Sequence, residues 1–195
     1  MKLQFNLMVA GLFAIAGAAH ATDLNYDYLQ AGYAEVDFDD VDEDLTAVSL
    51  GGSFLVAEQI YLFGSYTDGQ TDRFAGGRLE STGYTLGMGY RYGVGPQTDF
   101  NFAAAFEYAD VEGTGGLSFL GSDSESGYSL TVGVRHLVAE AFELGADVTY
   151  VDIADDDTIL TVGGLWHINQ QVAVGLGYFT GSDAQGFEGW VRFKF

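Results

Sequence analysis

The chain has no cysteine, one proline, two tryptophans and no apolar run long enough for a transmembrane helix. Without cysteine there are no disulfides, no thiol nucleophile and no thiolate metal site, so the fold rests on its core or its sheet. Cations are scarce: seven Lys and Arg against 28 Asp and Glu, a net charge of −21. That excludes non-specific nucleic-acid binding, which needs a basic surface. It also sets the chain against anionic head groups unless something neutralises it.

What is present is glycine, 28 residues, with 12 Tyr and 15 Phe. This balance suits an aromatic, glycine-rich sheet better than a helical bundle. The first residues read as a secretory leader: basic Lys2, a short apolar run from Leu7 to Ala19, and a small-x-small site at Ala19-His20-Ala21. The run is too short to cross ~30 Å of hydrocarbon. We therefore expect residues 1–21 to be a signal peptide and residues 22–195 to form one domain. Such a leader leaves the periplasm, the exterior, or a membrane entered as a barrel.

The remainder alternates with period two. Phe187, Gly189, Val191, Phe193 and Phe195 share one face; Glu188, Trp190, Arg192 and Lys194 share the other. Ten such runs appear, among them Tyr84 to Tyr92, Phe100 to Tyr108, Tyr128 to Val134, Phe142 to Tyr150 and Val172 to Tyr178. The first, near Tyr26 to Val36, has Leu29, Ala31 and Tyr33 on its outer face. Only Ile60 to Tyr66 is apolar on both faces and has no evident orientation. Period two is the signature of strands with one apolar face.

The connections alternate in length. Ala57–Gln59, Gly93–Thr98, Ala139–Ala141 and Asn169–Gln171 are short; Asp39–Leu45, Asp68–Glu80, Asp110–Glu125 and Asp152–Asp157 are longer, with Gly181–Gln185 the shortest of that class. This rhythm, with Tyr92, Tyr108, Tyr128, Phe142, Tyr150, Tyr178 and Phe195 at strand ends, predicts an all-β, antiparallel, up-and-down transmembrane β-barrel of ten strands. Eight is the alternative if the third run or the last hairpin is misread. In either case the last run closes the sheet against the first, so no edge remains.

The signal peptide, alternating strands, acidic loops and terminal Phe together resemble small bacterial outer-membrane barrels of the OmpX and OmpA transmembrane type. The opening Tyr26-x-Tyr28-x-x-x-Gly32-Tyr33 resembles small barrels described as diffusible-signal or elicitor proteins. The resemblance implies an outer-membrane location, contact with lipid and lipopolysaccharide, and handling by the barrel-assembly machinery. It marks Phe193 and Phe195 as the assembly signal.

Two sets of residues carry candidate chemistry. Asp39, Asp40, Asp42, Asp44, Asp155, Asp156 and Asp157 fall in the longer loops, where carboxylates suit hard divalent cations. The EF-hand glycine and spacing are absent. The other reading is a solvated, charge-rich surface, and the metal is unknown. On the lumen faces, a tight turn at Ala139–Ala141 brings Arg135 near Gly145, between Glu143 and Asp147. Arg91, Glu107 and Arg192 complete an expected charge network, either structural or a constriction selecting solutes.

Small residues line the rest of that face: Ser49, Gly51, Ser53, Gly87, Gly89, Ala103, Ala105, Gly133, Gly163, Gly175 and Gly177. They predict a narrow void, or else a tight barrel with no passage. Of the histidines, His136 falls on the apolar face and His167 near the Asn169 turn, neither near the outer rim, and no Ser-His-acid motif appears. No cofactor is implied and no enzyme is expected. The favoured role is structural or surface-interacting; the alternatives are a narrow passive pore and, lastly, a lipid-modifying enzyme or protease.

Overall fold

The computed structural model describes residues 24–38, 41–73 and 75–195. The expected leader, Asp39 and Asp40 lie outside the described residues. Ten strands form: β1 (Tyr28–Phe38), β2 (Val41–Ala57), β3 (Ile60–Thr71), β4 (Gly77–Gly93), β5 (Thr98–Gly115), β6 (Ser122–Ala139), β7 (Phe142–Ile153), β8 (Asp155–His167), β9 (Val172–Thr180) and β10 (Ala184–Lys194). Each pairs antiparallel with its sequence neighbours, and β1 pairs with β10 from Tyr28↔Lys194 to Phe38↔Ala184, closing the barrel. The expected ten-strand closure is therefore observed.

The outer face is apolar because every second residue points outward. Leu50, Leu86, Leu130, Val132, Leu176 and Val191 are all exposed there. Aromatic rings border this band. Near the rim opposite the C-terminus, Tyr66 and Tyr84 lie 5.2 Å apart, Tyr84 and Tyr108 6.0 Å, Tyr128 and Tyr150 6.2 Å, and Tyr178 and Phe187 5.1 Å. At the other rim Tyr92, Phe100, Phe142, Trp166, Phe193 and Phe195 face outward. Tyr84 and Tyr92 are eight residues apart, ~27 Å along a strand; at a tilt of ~40° this is ~20 Å across the band. Such a band between aromatic girdles is built to meet lipid.

The strand that the sequence left unoriented takes its place here. Tyr61, Phe63 and Thr67 are buried inside, while Ile60 and Tyr66 face out. Its inner face is apolar because it carries rings that fill the lumen.

At the rim bearing the C-terminus, which we call the terminal rim, the turns are 58–59, 94–97, 140–141 and 168–171. At the far rim the described turns are 116–121, Ala154 and 181–183, while β1 ends at Phe38 and β2 begins at Val41, and β3 ends at Thr71 and β4 begins at Gly77. The expected long loops are thus corrected. β3 and β4 pair as far as Gln70↔Glu80, β5 and β6 as far as Glu112↔Ser122, and β7 and β8 as far as Ile153↔Asp155. Beyond the apolar band both faces of a strand meet water, so the apolar alternation stops while backbone pairing continues. Asp44, Asp155, Asp156 and Asp157 consequently lie on strands. Asp42 also falls within β2.

Candidate functional site: the filled lumen

The interior is filled at three levels. Toward the far rim, Val36, Leu45, Ile153, Ile159 and Phe179 belong to one buried apolar cluster. In the terminal half, Leu24, Tyr26, Tyr61, Phe63, Ala105 and Leu137 form a second. Across from it Leu165, Ala173 and Trp190 form a third. Leu24 and Tyr26 precede β1, so the chain enters the lumen before it joins the wall.

Glycine makes room for these rings. Tyr61 lies directly across from Gly89, Phe63 from Gly87, and Trp190 from Gly175. A Cβ at Gly89, Gly87 or Gly175 would overlap the facing ring in each case. Cross-strand partners share a face, so a large residue opposite a glycine lies flat over it. At these positions the glycines are cradles for rings, which agrees with the tight-barrel alternative. A cavity of about 10 Å³, space for one water, lies beside Glu143, Trp190 and Arg192.

The charged residues sit between and below the clusters. Arg135 and Glu143 pair directly, and both are almost fully buried. His167 Nε2 lies 3.5 Å from the other Glu143 oxygen, and Lys194 Nζ lies 3.0 Å from His167 Nδ1. The Tyr26 ring has Arg91 4.8 Å and Arg135 5.1 Å from its centroid, and the Tyr61 ring 5.2 Å away. A guanidinium over an aromatic face is attracted by the ring quadrupole, more strongly where water is excluded. Arg91 Nε also donates to the Glu58 carbonyl at 2.8 Å.

Arg192 holds the closing seam. Its Nε and Nη2 donate to Gln30 Oε1 on β1 at 3.1 and 2.8 Å, and its guanidinium lies 3.9 Å from the Tyr28 ring centroid. Higher in the barrel, Glu107 accepts from Thr85 Oγ1 at 2.7 Å and Ser129 Oγ at 2.6 Å. Asp147 accepts from Asn101 Nδ2 at 3.1 Å.

Arg91, Glu107, Arg135, Glu143, Asp147 and Arg192 are thus all buried on the lumen face. Arg135 and Glu143 touch; Glu107 is held apart with two hydroxyls. Asp155, Asp156 and Asp157 share the far rim, where Asp152 lies directly opposite Asp156. Asp157 Oδ1 accepts from the backbone of Ser182 at 3.0 Å and fastens the neighbouring turn. Among the described residues no group of three or more His, Asp or Glu side chains is arranged to hold a metal ion. Phe193 and Phe195 face outward at the terminal rim, and the Phe195 amide donates to the Asp27 carbonyl at 3.1 Å.

Sequence reasoning did not place Tyr26, Tyr28, Gln30, Tyr61 or Asn101 in this network. A detectable signal existed for Tyr61: a large residue on a lumen face in register with a glycine on the next strand.

The outer membrane protein beta-barrel domain family matches residues 5–179. No curated protein matches the chain. Among solved structures, the NanC porin is similar with a TM-score of 0.55 at 8% identity, covering 86% of this chain and 100% of that one. The KdgM porin in complex with disordered oligogalacturonate gives 0.51 at 12%, covering 86% and 99%. Ail, the attachment invasion locus protein of Yersinia pestis, gives 0.48 at 12%, covering 86% and 97%. At these identities the likeness to the two porins is one of fold.

Proposed function

This chain belongs to the outer membrane protein beta-barrel domain family, and from that membership and its filled lumen we propose a closed, non-enzymatic barrel that presents an acidic surface outside the cell. The supporting observation is the occupation of the lumen at successive levels by Phe179 and Ile153, by the charged layer, and by Tyr26, Tyr61 and Trp190. A passage would need these side chains to move together. Similarity to porins is a similarity of wall and does not require an open interior. In this reading the signal peptide exports the chain, the terminal rim faces the periplasm and the far rim faces outward. The partners are outer-membrane lipid, lipopolysaccharide phosphates bridged to rim acids by divalent cations, and the assembly machinery.

The test is single-molecule conductance of the full-length protein in a planar bilayer. The expected trace matches bare bilayer; reproducible ion-conducting steps would replace this reading with the passive pore. In the same reading Phe195 serves insertion. Its deletion is expected to lower the yield of heat-modifiable barrel in membranes more than it lowers the urea midpoint of barrel already folded. Equal losses in both measurements would remove the assembly role.

A further inference from the structure

Strands β5 and β6 are unusually tall, 18 residues each, where ~9–11 suffice to cross a membrane. On its β5 side β6 is paired from His136 up to Ser122 without a register shift. On its other side pairing with β7 stops at Tyr128↔Asp152, because β7 turns back at Ala154, a non-glycine residue with φ of 60°. Gly127 marks the step: a Cβ there would strike the Asp152 carbonyl, so β6 leaves its neighbour at that residue. Above it, Ser122, Asp123, Ser124, Glu125 and Ser126 are all exposed, and among the described residues none pairs on that side. A closed barrel has no edge, yet this one has a free strand edge of five residues, ~17 Å long, standing above the lipid band.

Edges left open in soluble sheets are commonly blunted by proline, lysine or a bulge. This segment has none of the three. Its only guard is negative charge. Asp123 and Glu125 continue the lumen-side face of β6, while Ser122, Ser124 and Ser126 continue its outer face and are small. The adjacent strand adds Asp110 and Glu112 opposite Ser124 and Ser122. Negative charge repels a second copy of this same edge and attracts a basic strand, so the guard is also a filter.

We infer that the β6 edge from Ser122 to Ser126 is a docking site for an extended basic segment of another protein, which adds as a strand with Lys or Arg at alternate positions beside Asp123 and Glu125. Backbone hydrogen bonds would supply affinity and the two carboxylates selectivity. This deepens the surface-presenting half of the proposed function; the conductance experiment is indifferent to it, so either can fail alone.

The test uses full-length protein in lipid nanodiscs and a seven-residue peptide alternating lysine and threonine, followed by fluorescence anisotropy. A second peptide of the same sequence is N-methylated at alternate residues, keeping its charge while losing strand pairing. The expected result is saturable binding of the first peptide and binding weaker by about tenfold or more for the second. Asp123→Asn with Glu125→Asn should abolish the difference. Glu35→Gln with Asp37→Asn and Asp44→Asn, which removes more charge from β1 and β2 on the other side of the barrel, should preserve it. Heat-modifiable mobility confirms each variant as a folded barrel. Equal affinity of the two peptides, equal loss in both variants, or no binding at all would each overturn the inference. So would a dimer of nanodisc-bound protein that is lost with Ser124→Pro.

Discussion

Glu143 and Glu188 are buried to nearly the same degree inside one barrel, at 2% and 3% exposure, and their surroundings are opposite. On the β3–β7 wall, Glu143 is paired with Arg135 and approached by His167, and Arg135 also lies over Tyr26. On β10, neither oxygen of Glu188 has a hydrogen-bond partner among the described residues, nor does Trp190 Nε1 or Arg192 Nη1. A buried charge is tolerable when its partner is buried with it and expensive when it is not. The first wall sets its carboxylate directly against a buried cation, although Glu143 Oε2 and the Tyr26 and Tyr61 hydroxyls there also lack a hydrogen-bond partner among the described residues; on the second wall neither Glu188 oxygen has even one such bond.

The strongest break in this contrast is Arg135→Met. It leaves Glu143 charged and buried with its main partner gone, and a loss of ~3–5 kcal/mol is expected in reversible urea unfolding of the micelle-bound barrel. Adding Glu143→Gln should recover much of it, because the orphaned charge disappears. No recovery in the double variant would mean that packing of Arg135 over Tyr26, and not the ion pair, holds this wall. Next in size is Gly89→Ala. The added methyl collides with the Tyr61 ring, so a loss of ~1–3 kcal/mol is expected, falling when Tyr61→Val is made alongside.

The opposite wall should respond with the opposite sign. Glu188→Gln removes a buried carboxylate whose oxygens have no hydrogen-bond partner among the described residues, at nearly constant volume. Stability is expected to stay level or to rise by up to ~1–3 kcal/mol in the same unfolding measurement. A loss comparable with Arg135→Met would erase the distinction between the walls and show that Glu188 has a partner of equal worth.

Much of this contrast lies at the limit of what the sequence carries. Alternation reveals which residues share a face, so Arg135, Glu143 and Asp147 could be brought together from the turn at Ala139–Ala141 alone. It says nothing of what fills the space between walls, which depends on strands far apart in the chain. Tyr26 over Arg91 and Arg135 is such a contact. The two-faced apolarity of Ile60 to Tyr66 was the visible trace of the filling, yet periodicity gave it no direction. The far rim is illegible for a different reason: once both faces of a strand are wet, polar residues such as Asp155 to Asp157 look like a loop while the backbone ladder continues beneath them. Ten strands were legible because lipid demands an apolar face on each; their heights were not, because water demands nothing of the kind.

The smallest expected effect extends the comparison from the lumen to the rim. Asp152 and Asp156 are directly opposite on β7 and β8, and Glu80 and Glu112 on β4 and β5, all on the outer face above the aromatic girdle. Like charges in register repel, but here water screens them and each carboxylate keeps its hydration. Asp156→Asn should therefore raise stability by only ~0.2–1 kcal/mol at low ionic strength, with the gain shrinking in 0.5 M salt as screening does the same work. A gain that survives high salt would mean that the pair is less hydrated than its exposure implies. The rim would then resemble the wall holding Glu188, with charge retained at a cost in stability. A gain that vanishes would assign the chain's electrostatic cost to the lumen, although the rim holds far more of its acids.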